Sequence, residues 1–194
     1  MIAFVRGKFA RKTPAQVIVD VNGVGYELQV SLNTYSAITD KTEGQLFTYL
    51  HITENAQTLY GFFEQAEKDL FLQLISVSGV GASTARMMLS GMKPDEIIKA
   101  IVQGNAKQLE SIKGIGKKTA ERLVVELRDK LGKQNTETFS TMQPVYSMEQ
   151  DALQALTSLG IARPMAEAAL KKVLHQTGTN ASLEQIIKLS LKNL

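Results

Sequence analysis

Ser111-Ile112-Lys113-Gly114-Ile115-Gly116-Lys117-Lys118-Thr119-Ala120-Glu121-Arg122-Leu123 has the residue types and spacing of an anion site. Glycine reaches positive φ at no steric cost, and without a side chain it lets a ligand approach the backbone. The spacing predicts a helix end, a sharp hairpin at Gly114-Ile115-Gly116 and the start of a second helix. The first amides of that helix lack intrahelical partners, and the helix dipole adds partial positive charge beside them. Phosphate is the usual ligand of such a corner. Lys113, Lys117, Lys118, Thr119 and Arg122 surround it.

The same pattern stands upstream in Val77-Ser78-Gly79-Val80-Gly81-Ala82-Ser83-Thr84-Ala85-Arg86. Leu74 and Leu109, Val77 and Ile112, Gly79 and Gly114, Gly81 and Gly116, and Ala85 and Ala120 all share one offset. A small Ala suits two helices that cross closely after so short a turn. The copies differ in charge: the first offers Arg86 and the hydroxyls of Ser83 and Thr84, so the second is expected to supply more of the salt-dependent affinity for nucleic acid. The rival reading is that both Gly-x-Gly turns merely join packed helices.

Other chemistries find little support. The chain has no cysteine and only two histidines, His51 and His175, far apart in sequence, so no metal site is expected. Gly116-Lys117-Lys118-Thr119 is not a nucleotide-binding P-loop, because Ser111 stands where the first Gly is required and Lys118 where Ser or Thr is required. No nucleophile pairs with a base, so no catalytic residue and no cofactor are expected. The net charge of +3 makes any nucleic-acid surface a local patch. The apolar start Met1–Val5 is too short for a signal-peptide core, no run reaches membrane length, and the absence of cysteine suits a reducing compartment, so a cytoplasmic location is the default.

Three kinds of element must position these corners. Residues 1–63 read as a small β unit. Ala15–Val21 and Val24–Val30 flank Asn22-Gly23, a strong hairpin signal, and further strands are expected at Leu46–Ile52 and Thr58–Phe63. So many short strands suggest a closed barrel of the OB type, which either touches nucleic acid or only helps assembly. Arg6, Lys8, Arg11 and Lys12 form its basic cluster. Residues 64–132 carry helical apolar spacing, with Pro94-Asp95-Glu96 opening a helix between the two corners. Residues 133–146 read as a flexible linker. Residues 147–194 read as three short helices, with capping boxes at Ser147 and Ser182 and a stop at Gly160.

The duplicated corner resembles the helix-hairpin-helix motif in its tandem, non-sequence-specific DNA-binding form. That resemblance implies that the hairpin amides hold backbone phosphates, which position a protein without reading bases. The order of barrel, tandem motif, linker and three-helix end resembles the RuvA family. Gly23–Glu27, Leu59–Phe62, Ser78–Gly81, Leu89–Met92 and Gly114–Leu123 carry the likeness along nearly the whole chain.

The resemblance implies an α+β multidomain protein with an OB-like barrel, a tandem helix-hairpin-helix domain and a three-helix, UBA-like end. It implies a non-catalytic subunit that assembles as a tetramer, or as two face-to-face tetramers, on a four-way (Holliday) DNA junction in recombination and repair. Its implied partners are the ATP-driven RuvB ring, engaged by the C-terminal module, and the RuvC resolvase. It further places an acidic pin at Thr53–Gln57; Glu54 fits, whereas Asn55 is neutral where a second acid is usual. The alternatives are a helix-hairpin-helix repair enzyme, glycosylase or nuclease, and a scaffold using its hairpins for protein contacts.

Overall fold

The structure, a computed structural model, describes residues 1–138, 148–177 and 181–193. It contains two compact units, Met1–Ser140 and Thr141–Leu194. The first begins with strands β1 (Phe4–Thr13), β2 (Gln16–Val21) and β3 (Val24–Val30), then helix α1 (Leu32–Ile38), then β4 (Glu43–Ile52) and β5 (Gln57–Phe62). The strands close in the order β1-β2-β3-β5-β4, with β3 and β5 parallel and the other pairs antiparallel.

Alternation explains the closure. Val17 and Val19 on β2 and Leu28 and Val30 on β3 point inward and are buried, with the half-buried Ile18 and Gln29 between them on the other face. Between β2 and β3, Asn22 and Gly23 take φ of 52° and 90°, the two positive values a type I′ turn requires. The Gly23 amide donates to Asp20 Oδ1 at 2.8 Å.

The sequence reading did not include α1. Thr, Asn, Ser and Tyr are weak helix formers, and this short helix is fixed by its ends. Ser31 caps its start, accepting from the Thr34 amide at 3.0 Å. At its far end Lys12 Nζ donates to the carbonyls of Ile38, Thr39 and Lys41 at 3.1, 2.5 and 2.7 Å. Lys12 is therefore committed to the fold.

The helical layer of the first unit comprises α2 (Gln65–Ile75), α3 (Ala82–Gly91), α4 (Pro94–Val102), α5 (Ala106–Glu110) and α6 (Lys117–Thr138). Its core runs from Leu70, Phe71 and Leu74 through Met88, Ile97, Ile101 and Leu109 to Leu123 and Leu131. The β5 residues Tyr60 and Phe62 belong to that same core, their rings 5.1 and 4.9 Å from Phe71. Barrel and helices thus share apolar contacts. His51 packs among the same aromatics, 6.1 Å from Tyr49 and edge-on to Tyr60 at 6.3 Å.

Helix α6 continues to Thr138, so residues 133–138, expected as the start of a linker, are helical. Extending an existing helix costs little, and Lys133, Gln134 and Glu137 are good helix formers. The rest of the expected linker, residues 139–146, and the Ser147 cap lie outside the described residues.

The second unit contains α7 (Met148–Ser158), α8 (Arg163–Thr177) and α9 (Leu183–Lys192) around Leu156, Ala166, Leu170, Val173 and Ile186. Gly160 ends α7 at φ 88°, and Ser182 forms the expected capping box with Gln185 at 3.2 and 3.3 Å.

Candidate nucleic-acid interface

The two hairpins, 76–81 and 111–116, are the same structure built twice. Gly79 and Gly114 adopt φ of 91° and 93°. The amides of Val80 and Ile115 each donate to the carbonyl three residues back, at 3.0 Å in both copies. Ser76 and Ser111 each donate a hydroxyl to the carbonyl of Gln73 and Gln108, at 2.7 Å in both, closing the preceding helix. The sequence reading missed that serine pair, although identical Gln and Ser recur at the common offset.

The following helices start alike. Ala85 and Ala120 donate the first helical bonds, to Gly81 and Gly116 at 2.9 Å. The amides of 82–84 and 117–119 therefore precede the hydrogen-bonded ladder. Gly81 provides no side-chain cap, so the α3 amides face outward at a positive dipole end. A Cβ at Gly79, Gly81 or Gly116 would meet nothing within 4 Å. Each corner is open.

Val80 and Ile115, expected to line the site, turn their side chains into the core and are 5 % exposed in both copies. Their amides are already used within the turn. Their side chains hold the hairpin in shape. Ser83, Lys113, Lys117 and Lys118 are exposed, while Thr84 and Thr119 are half-buried. At the positions of Lys113, Lys117, Lys118 and Arg122 the first copy has Ser78, Ala82, Ser83 and Met87. Every cation of the second corner is replaced by a neutral residue in the first.

Each corner also touches the other. Arg122 Nη1 donates to the Ser78 carbonyl at 3.1 Å, and its Nε lies 3.8 Å from Glu126. At the matching position Met87 sits over the second hairpin, its sulfur 3.8 Å from where a Cβ on Gly114 would stand. Arg122 and Met87 thus exchange places across an approximate two-fold, and the two corners form one face.

Arg86 departs from its expected role. Its Nη1 donates to the Ala15 carbonyl and to Gln29 Oε1, both at 2.9 Å, which ties α3 to the barrel. It also lies near the Tyr60 hydroxyl, which burial pushes above its usual range and Arg86 pulls back.

Further bonds cross the same joint. Asn33 Nδ2 donates to the carbonyls of Leu89 and Met92 at 2.5 and 3.1 Å, and the Leu32 amide donates to Ser90 Oγ at 3.1 Å. Glu67 on α2 is 3 % exposed and accepts from the hydroxyls of Ser31 and Thr34. Burial pushes its carboxyl above the ordinary range, the two hydroxyls lower it, and Glu64 raises it further.

Glu54 and Asn55 lie exposed at the tip of the β4–β5 hairpin, remote in sequence from both corners. Thr53 closes that turn, its amide donating to the Ala56 carbonyl at 2.9 Å. Among the described residues no group of three or more His, Cys, Asp or Glu side chains could hold a metal, and no helix is long and apolar enough to cross a membrane.

A closed five-strand barrel, a tandem helix-hairpin-helix face and a three-helix unit define a multidomain class of DNA-binding architecture. Residues 1–61 match the family model of the RuvA N terminal domain, 71–129 that of the SAM-like helix-hairpin-helix tandem, and 147–194 that of the RuvA C-terminal domain. The chain is 42% identical to the Holliday junction branch migration complex subunit RuvA of Cytophaga hutchinsonii, over 99% of each chain. It is 43% identical to that of Flavobacterium psychrophilum and 41% to that of Bacteroides fragilis, over the full length of both chains in each case. The chain belongs to the RuvA family.

Proposed function

We propose that this chain binds four-way DNA junctions by their shape, without reading sequence, as the DNA-holding subunit of a branch-migration complex in recombination and repair. The observation that carries the reading is the pair of superimposable, open helix starts joined through Arg122 and Ser78. Two anion corners on one face match two phosphates of a duplex, and phosphate contacts carry no base information. Gly79, Gly81, Ser83 and Thr84 supply one corner. Lys113, Gly114, Gly116, Lys117, Lys118 and Thr119 supply the other, with charge that steers DNA in.

A single face of this kind grips one duplex arm, so holding four arms requires four copies. The chain works as a homotetramer, or as two tetramers face to face, with barrels at the centre. Glu54 then contributes one carboxylate per copy near the crossover, where charge repulsion keeps phosphates apart; Asn55 adds none. The C-terminal three-helix unit recruits the ATP-driven motor, and the subunit itself is not a catalyst. The full-length family likeness favours this reading over a repair enzyme. The chain acts where chromosomal DNA is, in the cytoplasm.

Gel-shift titration of the full chain against a synthetic four-way junction and a linear duplex of equal length, across a salt series, tests the reading. Tighter junction binding, no cleavage and indifference to sequence are expected. Equal affinity for the two substrates overturns it.

A further inference from the structure

We infer that Arg86 is a positioning residue that sets the preference for a junction over plain duplex, by fixing the angle between the barrel and the hairpin face. The inference rests on the function proposed above. It starts from an asymmetry in the repeat. Arg86 has no counterpart in the second copy, where the matching residue is Glu121, so it is not part of the duplicated anion corner. Its bonds point away from a DNA role too. Both acceptors lie on the barrel side, the Ala15 carbonyl at the β1–β2 turn and the Gln29 side chain on β3.

The position of that bond along α3 matters. Asn33 and Leu32 hold the last turn of the helix, at Leu89, Ser90 and Met92. Arg86 holds the middle of the helix, just over one turn from Gly81. Tied at its middle as well as at its C-terminal end, α3 resists tilting about its C-terminal anchor, and the direction of the first hairpin is set relative to the barrel. Through Arg122 and Ser78 the second hairpin follows it.

Angle matters unequally for the two substrates. A linear duplex engages one face and can adjust to it as a rigid body. A junction engages several faces at once around a common centre, and simultaneous engagement adds affinity only where the geometry permits it. Loosening the joint therefore penalises the junction and spares the duplex.

The test measures both affinities for the full chain and for the R86A, R86K and Q29A variants, across a salt series, with thermal melts alongside. Gln29→Ala removes one of the two barrel-side acceptors, leaving the Ala15 carbonyl, and touches neither hairpin, so it carries the test if Arg86→Ala folds poorly. R86A is expected to lower the ratio of junction to duplex affinity by about fivefold or more, a typical coupling between sites, and Q29A, which keeps the Ala15 bond, to lower it by a smaller factor. Duplex affinity and its salt slope stay at the wild-type values. R86K keeps the charge but lacks the rigid planar guanidinium and its reach, and falls between the wild type and R86A.

Three outcomes overturn the inference. One is a duplex salt slope reduced in R86A, which makes Arg86 a phosphate ligand. Another is a ratio unchanged in Q29A. A third is a ratio that simply follows lost thermal stability in all variants. A wild-type chain with no junction preference removes the proposed function itself, whereas a preference that survives in R86A and Q29A removes only the role of Arg86.

Discussion

Arg122 Nη1 stands 3.1 Å from the Ser78 carbonyl oxygen, so a residue of the second corner's helix fixes the first corner's hairpin. The bond is charge-assisted and spans the two halves of the proposed DNA grip. Arg122→Ala is expected to weaken both junction and duplex binding by about tenfold, the scale of one hydrogen bond to a charged group. The side chain is 51% exposed, so folding stability should change by less than about 1 kcal/mol. Fluorescence anisotropy and urea melts on one preparation check both. Unchanged affinity would show that the corners act independently.

Lys117 and Lys118 are exposed at the start of α6, and their side chains make no hydrogen bond or ion pair among the described residues. Replacing both with Ala is expected to reduce the slope of log affinity against log salt by roughly two, one for each lost phosphate contact. The loss should be the same for any DNA sequence. A slope equal to that of the wild type would remove these lysines from the interface.

The four hairpin glycines should separate into two kinds. At Gly79 and Gly114, with φ of 91° and 93°, an Ala is strained, and each substitution is expected to cost about 1–3 kcal/mol in urea unfolding. Gly81 has φ −81° and open space around it, and Gly116 is also free of positive φ, so Ala there should fold with nearly wild-type stability. Gly81→Ala and Gly116→Ala should nevertheless weaken DNA binding, because a methyl group stands where phosphate must approach. Full binding by those two variants would place the DNA elsewhere.

Glu67 provides a pH signature. Burial raises its folded-state pKa above the unfolded value, so the folded state binds the proton more readily. Its contribution to stability is then most favourable in acid and declines as pH rises from the ordinary carboxylate range through the raised folded value. Above that value the cost of burying the charge is constant, offset in part by Ser31 and Thr34. The stability difference between wild type and Glu67→Gln should fall across that window and be flat at neutral pH. A difference independent of pH would mean that the Glu67 carboxyl titrates alike in the folded and unfolded chain, and that burial does not shift it.

The features legible in the sequence are those with local causes. Asn22-Gly23, the paired Gly-x-Gly turns, Pro94 and Ser182 each dictate backbone geometry through their own chemistry, and each stands where expected. What escaped depends on residues far apart in the chain. Arg86 has the charge of a phosphate ligand, and only the closeness of Ala15 and Gln29, 71 and 57 residues away, gives it another task. Lys12 stood in a basic cluster, and only the fold shows that it closes α1. Helix α1 itself has weak intrinsic propensity and exists because Ser31, Lys12 and Glu67 hold it. For Val80 and Ile115 the spacing marks a hairpin, and only the packing shows that the side chain between the two glycines turns into the core.

The order β1-β2-β3-β5-β4 closes the barrel, but not every strand is paired on both sides along its whole length. β3 meets β5 only at Gln29 and Val30, and β1 meets β4 over Phe4–Lys8 and β2 over Lys8–Thr13. Closure leaves only short unpaired runs of backbone, a poor template for an added strand. Any contact the barrel makes with another molecule then falls to side chains on its outside and its turns, among them the exposed Phe4, Val24 and Ile52, where single substitutions can tune it.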